Sequence, residues 1–362
     1  MKASALQDLL AIWSLASVDT GVTLLTAHSA FREVPSNDGK LEISFKGIHC
    51  TASRLSESLP PIASKPIMLP GTRFVDTISL FEPEEELVVD LVGNELVIRN
   101  ADSKVHLRVH SELPEDELPE STCTQWVVVE SAKDFSTAIN FLGNTTSQQL
   151  HHPVLMGIRM EAKDGLLELR GTDGARSGRL ALPCSGTLAP VVAHAGDLSA
   201  AAQLFPGKVS IGMDELRLEL RDDYTKVRLT VLNGQFPELN ISRQTYVPLA
   251  RLVPKAIDRA GRASTLFDSD KLVTVEASEK RVKLVVKGQE LGAFEQVSGR
   301  SRLDASFTLN GDHFGLAAQM GEAPILYYRG PPPDPILIVG KVARKECEYW
   351  LSPVVLRGKL DR

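Results

Sequence analysis

The stretch Ala132-Lys133-Asp134-Phe135-Ser136-Thr137-Ala138-Ile139-Asn140-Phe141-Leu142 sets Phe135, Ala138, Ile139 and Leu142 at i, i+3, i+4 and i+7. That spacing is the apolar stripe of a short amphipathic helix. It stands about 130 residues earlier at Leu6, Leu9, Leu10 and Trp13, and about 120 later at Val253, Ala256, Ile257 and Ala260. One stripe means little, because any packed helix has one. Three at even intervals signal an internal repeat. Pro254 in a helix interior would remove a hydrogen bond and kink the chain. The third helix is therefore expected to begin at Pro254.

A second series lies between these stripes: Phe74, Thr77, Ile78 and Phe81; Leu198, Ala201, Ala202 and Phe205; His313, Leu316, Ala317 and Met320. Alternating strands follow each one. After the first come Glu86 to Leu91 and Glu95 to Arg99 about a Gly93-Asn94 turn, then Lys104 to Val109. After the second come Lys208 to Gly212, Leu216 to Leu220 and Lys226 to Thr230. After the third come Ile325 to Tyr328, Ile336 to Val339 and Glu348 to Leu351. The first helices also lead into strands, Leu41 to Phe45 after Gly39-Lys40 and Leu167 to Arg170 after Asp164-Gly165. Each unit thus reads helix, strands, helix, strands, an α+β module of about 120 residues. Acidic, proline-flanked Leu113 to Pro119 and the Phe236-Pro237-Glu238-Leu239 exit suggest joints, giving domains 1–120, 121–246 and 247–362.

With 362 residues, 43% of them hydrophobic, the chain can bury two or three cores. A net charge of −6 argues against a surface that grips phosphates everywhere, but a local basic face stays compatible with it. Cys50, Cys123, Cys184 and Cys347 lie too far apart for a zinc or redox motif and fit reduced thiols. Asp8 interrupts the apolar start, so no signal peptide is read there, and no run reaches the roughly 20 apolar residues of a membrane span. The expectation is a cytoplasmic protein.

Three stretches resemble one family. The first is His152-Pro153-Val154-Leu155-Met156-Gly157, followed by the Asp164-Gly165 turn and Gly171-Thr172-Asp173-Gly174-Ala175-Arg176. The second is Asn233-Gly234-Gln235-Phe236-Pro237. The third is Pro333-Asp334-Pro335-Ile336-Leu337-Ile338 with Tyr349-Trp350-Leu351-Ser352-Pro353-Val354-Val355-Leu356. In this order, set against three repeats, they resemble the bacterial-type DNA sliding clamp, the beta subunit of DNA polymerase III. The likeness covers nearly the whole chain and is weakest in Val22 to Ser58. There Lys46-Gly47-Ile48-His49 stands in place of a Thr-Asp turn.

The resemblance implies three tandem clamp domains and a head-to-tail homodimer. Its helices would line a ring around duplex DNA, with antiparallel sheets outside. It implies a non-catalytic, nucleoid-associated processivity factor without cofactor or metal. Contacts to DNA would be to phosphates and without base readout. Candidate DNA-facing residues are Arg73, Lys133, Gln149, His152, Arg251, Lys255, Arg259 and Arg262. Asp8, Asp76, Asp134, Asp197, Asp258 and Asp312 on the same helices dilute their attraction. Replicative polymerase, clamp loader and repair proteins would insert short hydrophobic peptides between the second and third units. The matching positions are Leu155, Thr172, Gly174, Arg176, Pro237, Asn310, His313, Pro335, Leu351, Ser352, Pro353, Val354 and Val355. The dimer interface would join Val105 and Leu107 to Arg262 and Ala263. Ser177 replaces a usual apolar residue, Val355 an arginine, and Arg357 to Arg362 extend past Leu356, as in a divergent or phage member.

Two other function classes stand against this reading. An enzyme would show a phosphate loop, a Gly-x-Gly-x-x-Gly, a nucleophile elbow or a His-Glu-x-x-His, and none occurs. His151-His152 lacks a nearby carboxylate or cysteine and is read as solvated or DNA-facing rather than metal-binding. A clamp-like interaction scaffold that does not load on DNA is the alternative.

Overall fold

The computed structural model describes residues 1–13, 15, 30–35, 41–46, 50–56, 59, 68–109, 121–149, 151–238, 242–278, 281–288, 293–301 and 303–355. The linker 113–119, the turns at 39–40 and 47–49, and the tail 357–362 lie outside them. The helices are α1 (Ala3–Leu9), α2 (Gly71–Ser79), α3 (Ala132–Gly143), α4 (Ala195–Ala202), α5 (Pro254–Phe267) and α6 (Gly311–Leu316). None is long and apolar enough to cross a membrane.

Residues up to 109 hold strands β1 (Ala30–Pro35), β2 (Leu41–Lys46), β3 (Cys50–Leu55), β4 (Met68–Pro70), β5 (Val88–Val92), β6 (Glu95–Arg99) and β7 (Lys104–Arg108). Residues 121–238 hold β8 (Gln125–Val129), β9 (Gly157–Lys163), β10 (Leu166–Thr172), β11 (Arg176–Pro183), β12 (Ser185–Gly186), β13 (Leu188–His194), β14 (Val209–Met213), β15 (Arg217–Arg221) and β16 (Thr225–Thr230). Residues 242–355 hold β17 (Val247–Arg251), β18 (Leu272–Ser278), β19 (Arg281–Lys287), β20 (Ala293–Gly299), β21 (Ala305–Asn310), β22 (Ile325–Tyr328), β23 (Ile336–Val342) and β24 (Lys345–Leu351). Among the described residues helices and antiparallel sheets alternate along the chain, as the repeat requires.

Two compact units emerge: Met1–Lys133 with Cys184–Val231, and Asp134–Pro183 with Leu232–Arg362. Unit 1 contains a nine-stranded sheet ordered β12-β8-β14-β15-β16-β3-β2-β1-β4 and a three-stranded sheet β5-β6-β7. Unit 2 contains a run of strands β9-β10-β11-β24-β23-β22-β17 and a four-stranded sheet β20-β19-β18-β21. One plan recurs: a strand run from one stretch of chain meets a three-strand meander from another, at β16 and β3 in unit 1 and at β24 and β11 in unit 2.

The helix stripes are buried as their spacing demands. Leu6, Leu9 and Leu10 are buried, as are Phe135, Ala138, Ile139 and Leu142, and Ala256, Ile257 and Ala260; Val253, just before α5, stays exposed. Pro254 occupies the first position of α5, where its missing N–H costs nothing. The second-series helices are shorter than their stripes. α2 ends at Ser79, α4 at Ala202 and α6 at Leu316. Phe81, Phe205 and Met320 lie beyond those ends yet stay buried. The chain tightens there through i→i+3 bonds, Phe81 N to Ile78 O at 3.2 Å and Met320 N to Ala317 O at 3.1 Å. The stripe therefore reports burial correctly and overstates helix length.

Candidate partner-binding groove and basic surfaces

All the peptide-groove candidates fall in unit 2. The turn between β10 and β11 is fixed by its own side chains. Asp173 Oδ1 accepts from the N–H groups of Ala175 and Arg176, both at 2.9 Å, while its Oδ2 accepts from Arg176 Nε at 2.9 Å. Thr172 Oγ1 donates to Arg176 O at 2.7 Å and accepts from Gly174 N at 3.1 Å. Gly174 sits at φ +90°, a conformation that favours glycine. The Thr-Asp-Gly sequence thus builds a rigid loop.

The segment that follows β24 is tied to this loop. Arg176 pairs with Leu351 across β11 and β24, and Ser352 N donates to Ala175 O at 2.8 Å. Val354 N donates to Thr308 O at 2.8 Å, which brings this segment to β21. Asn310 caps α6 by accepting from His313 N at 3.1 Å. Beneath, Tyr349 Oη donates to His313 O at 2.8 Å, and the Tyr349 ring meets Phe141 edge-on at 6.0 Å. Burial pushes the Tyr349 phenol up, so it stays a donor. His313 is held below its ordinary range, first by burial and then by the Arg176 guanidinium. A neutral imidazole beside a cation is the result.

Hydrogen bonds and strand pairing thus link Thr172, Gly174, Arg176, Asn310, His313, Leu351, Ser352 and Val354 into one surface. Pro335 joins it through Ile336, the partner of Leu351. Leu155 is half-buried in the 3₁₀ turn Pro153–Met156, held by Ser147 N to its carbonyl at 2.8 Å. Pro237 is exposed; in the same stretch a Cβ added at Gly234 would meet Val154 at 3.5 Å. Exposure divides the set. Thr172, Leu351 and Pro353 are buried and act as framework, whereas Val355 is 61% exposed. Ser177, the departure noted above, is buried and donates to Gly171 O at 3.2 Å, opposite Trp350. Tyr349, within the terminal motif, belongs to the site although it is absent from the sequence-based candidates. Strand alternation, which puts it on the face of Leu351, was the available signal.

The basic candidates are exposed. Lys255, Arg259 and Arg262 stand at i, i+4 and i+7 on α5, one face of the helix. Arg262 Nη2 is bound to Asp258 Oδ2 at 2.5 Å, which offsets part of that charge. Arg251 is exposed at the end of β17, Gln149 and His152 before the Pro153 turn, Lys133 on the first turn of α3, and Arg73 on α2 beside exposed Asp76. Among the described residues no group of three His, Cys, Asp or Glu could hold a metal ion. Of the interface candidates, Val105 is half-buried, Leu107 and Ala263 are buried, and Arg262 is exposed.

No family model matches the sequence, and no curated protein does. Solved structures do match. The DNA polymerase III beta subunit from Thermotoga maritima has a TM-score of 0.82 at 17% identity, covering 98% of each chain. The sliding clamp from Bacillus subtilis has 0.81 at 14%, again over 98% of each. A sliding clamp from Pseudomonas aeruginosa, solved with griselimycin, has 0.82 at 15% and the same coverage. The chain therefore has the fold of the bacterial DNA polymerase III beta subunit, the sliding clamp, over nearly its full length and in a strongly diverged sequence.

Proposed function

We propose that the protein is a sliding clamp, a non-catalytic ring that encircles duplex DNA and tethers a replicative polymerase and other partners. The observation that carries this reading is a pair of strand edges that are open among the described residues. Within each unit a strand run is closed by a meander, β16 by β3 and β24 by β11. The chain has two further halves of that plan: β7 ends one sheet and β20 ends another. An unpaired edge is a template for another chain. We infer that β7 of one copy pairs with β20 of a second, twice, closing a two-fold head-to-tail ring of six repeats. Half-buried Val105 on β7 and exposed Val297 on β20 supply apolar contacts along that seam. This adds β20 to the interface first assigned to Val105, Leu107, Arg262 and Ala263.

The groove around Leu155, Arg176, His313 and Val355 would take a short hydrophobic peptide from polymerase, clamp loader or repair proteins. Domain limits at 1–120, 121–246 and 247–362, and a cytoplasmic, nucleoid-associated location, belong to the same reading. The decisive experiment is light scattering followed by retention on nicked circular DNA after loading. A dimer of twice 39.4 kDa, retained on circles and lost on linearisation, is expected. A stable monomer at micromolar concentration, or equal retention on both DNA forms, would overturn the ring. A dimer that binds peptide but is never retained on circles would favour the interaction scaffold.

A further inference from the structure

The start of β17 and the end of β22 meet in unit 2. The two strands pair antiparallel with Val247 opposite Tyr328, so the next residues outward, Tyr246 and Arg329, stand opposite each other. Side chains alternate along a strand, which puts Tyr327 and Arg329 on one face. Tyr246 is buried against Leu337, Val339 and Trp350, and Tyr327 packs on the same cluster. The Arg329 guanidinium lies over the Tyr246 ring at 5.6 Å. Arg243, three residues before Tyr246, lies over the Tyr327 ring at 5.2 Å, and its Nη2 donates to Tyr327 Oη at 3.1 Å. Each segment thus places an arginine on the other's tyrosine. Both distances fall within the roughly 6 Å over which a ring face attracts a cation.

A carboxylate orients each arginine. Arg243 Nη1 donates to Glu346 Oε1 at 2.6 Å. Arg329 Nη2 and Nε donate to the two oxygens of Asp334 at 2.7 and 3.1 Å. A guanidinium bound through two nitrogens is fixed in its plane as well as its place. This second pair closes the turn between β22 and β23, where Asp334 N also donates to Pro331 O at 3.3 Å. Half-buried Pro335 follows directly, and Ile336 after it pairs with Leu351 of the groove framework. Arg329 therefore joins a buried ring, a turn and the Pro335 edge of the candidate groove.

We propose that Arg329 is a positioning residue for peptide binding. Stacked on Tyr246 and paired with Asp334, it holds the turn so that Pro335 keeps its place at the groove edge. Arg243 on Tyr327 secures the segment before β17 in the same way. The inference rests on the reading of the groove as a peptide site. A short apolar peptide needs that edge in place beforehand, because ordering it on binding costs affinity.

The probe is the peptide Ser-Leu-Ser-Leu-Phe, labelled with a fluorophore at its amino end and titrated by anisotropy into the full chain. Arg329→Ala should weaken binding about three- to tenfold, the scale on which residues without ligand contact act. Its melting temperature should stay close to the parent's, because Arg329 is exposed. Tyr246→Leu removes the ring face and should weaken binding to the same extent, whereas Tyr246→Phe keeps the ring and should bind like the parent. Asp334→Asn, at a side chain 34% exposed, serves where Tyr246→Leu fails to fold, and should weaken binding severalfold. Equal binding by the parent, Arg329→Ala and Asp334→Asn overturns the proposal alone. Equal losses in Tyr246→Phe and Tyr246→Leu also overturn it, since the ring face would then not matter. No binding by the parent overturns the groove reading and the proposal together.

Discussion

In the nine-stranded sheet of unit 1 the central row passes through Glu219 and Arg228, exposed by 1% and 4%. In unit 2 Leu337 faces Trp350 across β23 and β24 as Glu219 faces Arg228 across β15 and β16, and that pair is exposed by 0% and 4%. Backbone pairing is the same in both, so the plan tolerates either chemistry at its centre. The two solutions differ in what holds them. A buried ion pair gains little over a well-packed apolar pair, but each charge depends on the other to be tolerable at all. The apolar pair depends on fit. The rows therefore teach that repeat geometry fixes where a side chain goes, while its chemistry stays free within that place.

The largest effect should come from breaking the ion pair. Arg228→Ala leaves Glu219 charged and buried, and should destabilise unit 1 by about 3–5 kcal/mol. Replacing both at once, Glu219→Leu with Arg228→Met, imports the chemistry of unit 2 and should come within about 1–2 kcal/mol of the parent or exceed it. Urea denaturation, followed by Trp126 for unit 1 and Trp350 for unit 2, reads both. A double variant as unstable as Arg228→Ala would mean the pair does more than satisfy itself.

Next in size is the bond beneath the groove. Tyr349→Phe removes the donor to His313 O and should cost about 1–1.5 kcal/mol, confined to unit 2. Amide exchange in α6 should quicken while that of α4, the matched helix of unit 1, stays unchanged. Equal quickening in both helices would break the assignment.

Smaller still is a response to pH that runs in opposite directions. His194, at the start of α4, is raised above its ordinary range by its hydrogen bond to Asp197. Its contribution is fully present below the ordinary histidine range and is lost as pH rises through the raised value. His313, in the first turn of α6, is lowered by burial and by Arg176. Its folded form resists the proton, so stability is lost as pH falls below the ordinary histidine range toward the lowered value. Acidification from neutrality should thus strengthen unit 1 and weaken unit 2. Titration of the two imidazoles by NMR, with midpoints on the same side of the ordinary value, would contradict this.

The repeat was legible because burial follows helical spacing. The Phe135 and Leu6 stripes needed only composition and order, and the start of α5 followed from Pro254. The Thr172–Arg176 turn was legible because local hydrogen bonding makes it: Asp173 bonds its own neighbours. Helix ends were less so, since Phe81 and Met320 continue a stripe that the backbone has already left. That β20 ends its sheet among the described residues could not be read at all. An unpaired N–H row is a property of what lies beside a strand, and nothing in Ala293 to Gly299 reports its neighbours.

The smallest expected effect tests the apolar solution on its own terms. Tyr246 Oη and Trp350 Nε1 are both buried in unit 2 without a hydrogen-bond partner. If fit alone holds that row, the hydroxyl contributes nothing to it. Tyr246→Phe keeps the ring against Leu337, Val339 and Trp350 and removes a polar atom that burial penalises. The variant should be neutral or more stable by up to about 1 kcal/mol, with the same denaturant slope. A loss of about 1 kcal/mol or more would show that the hydroxyl is bonded in solution. The contrast between the two rows would then be one of degree, with unit 2 also relying on a polar contact at its centre.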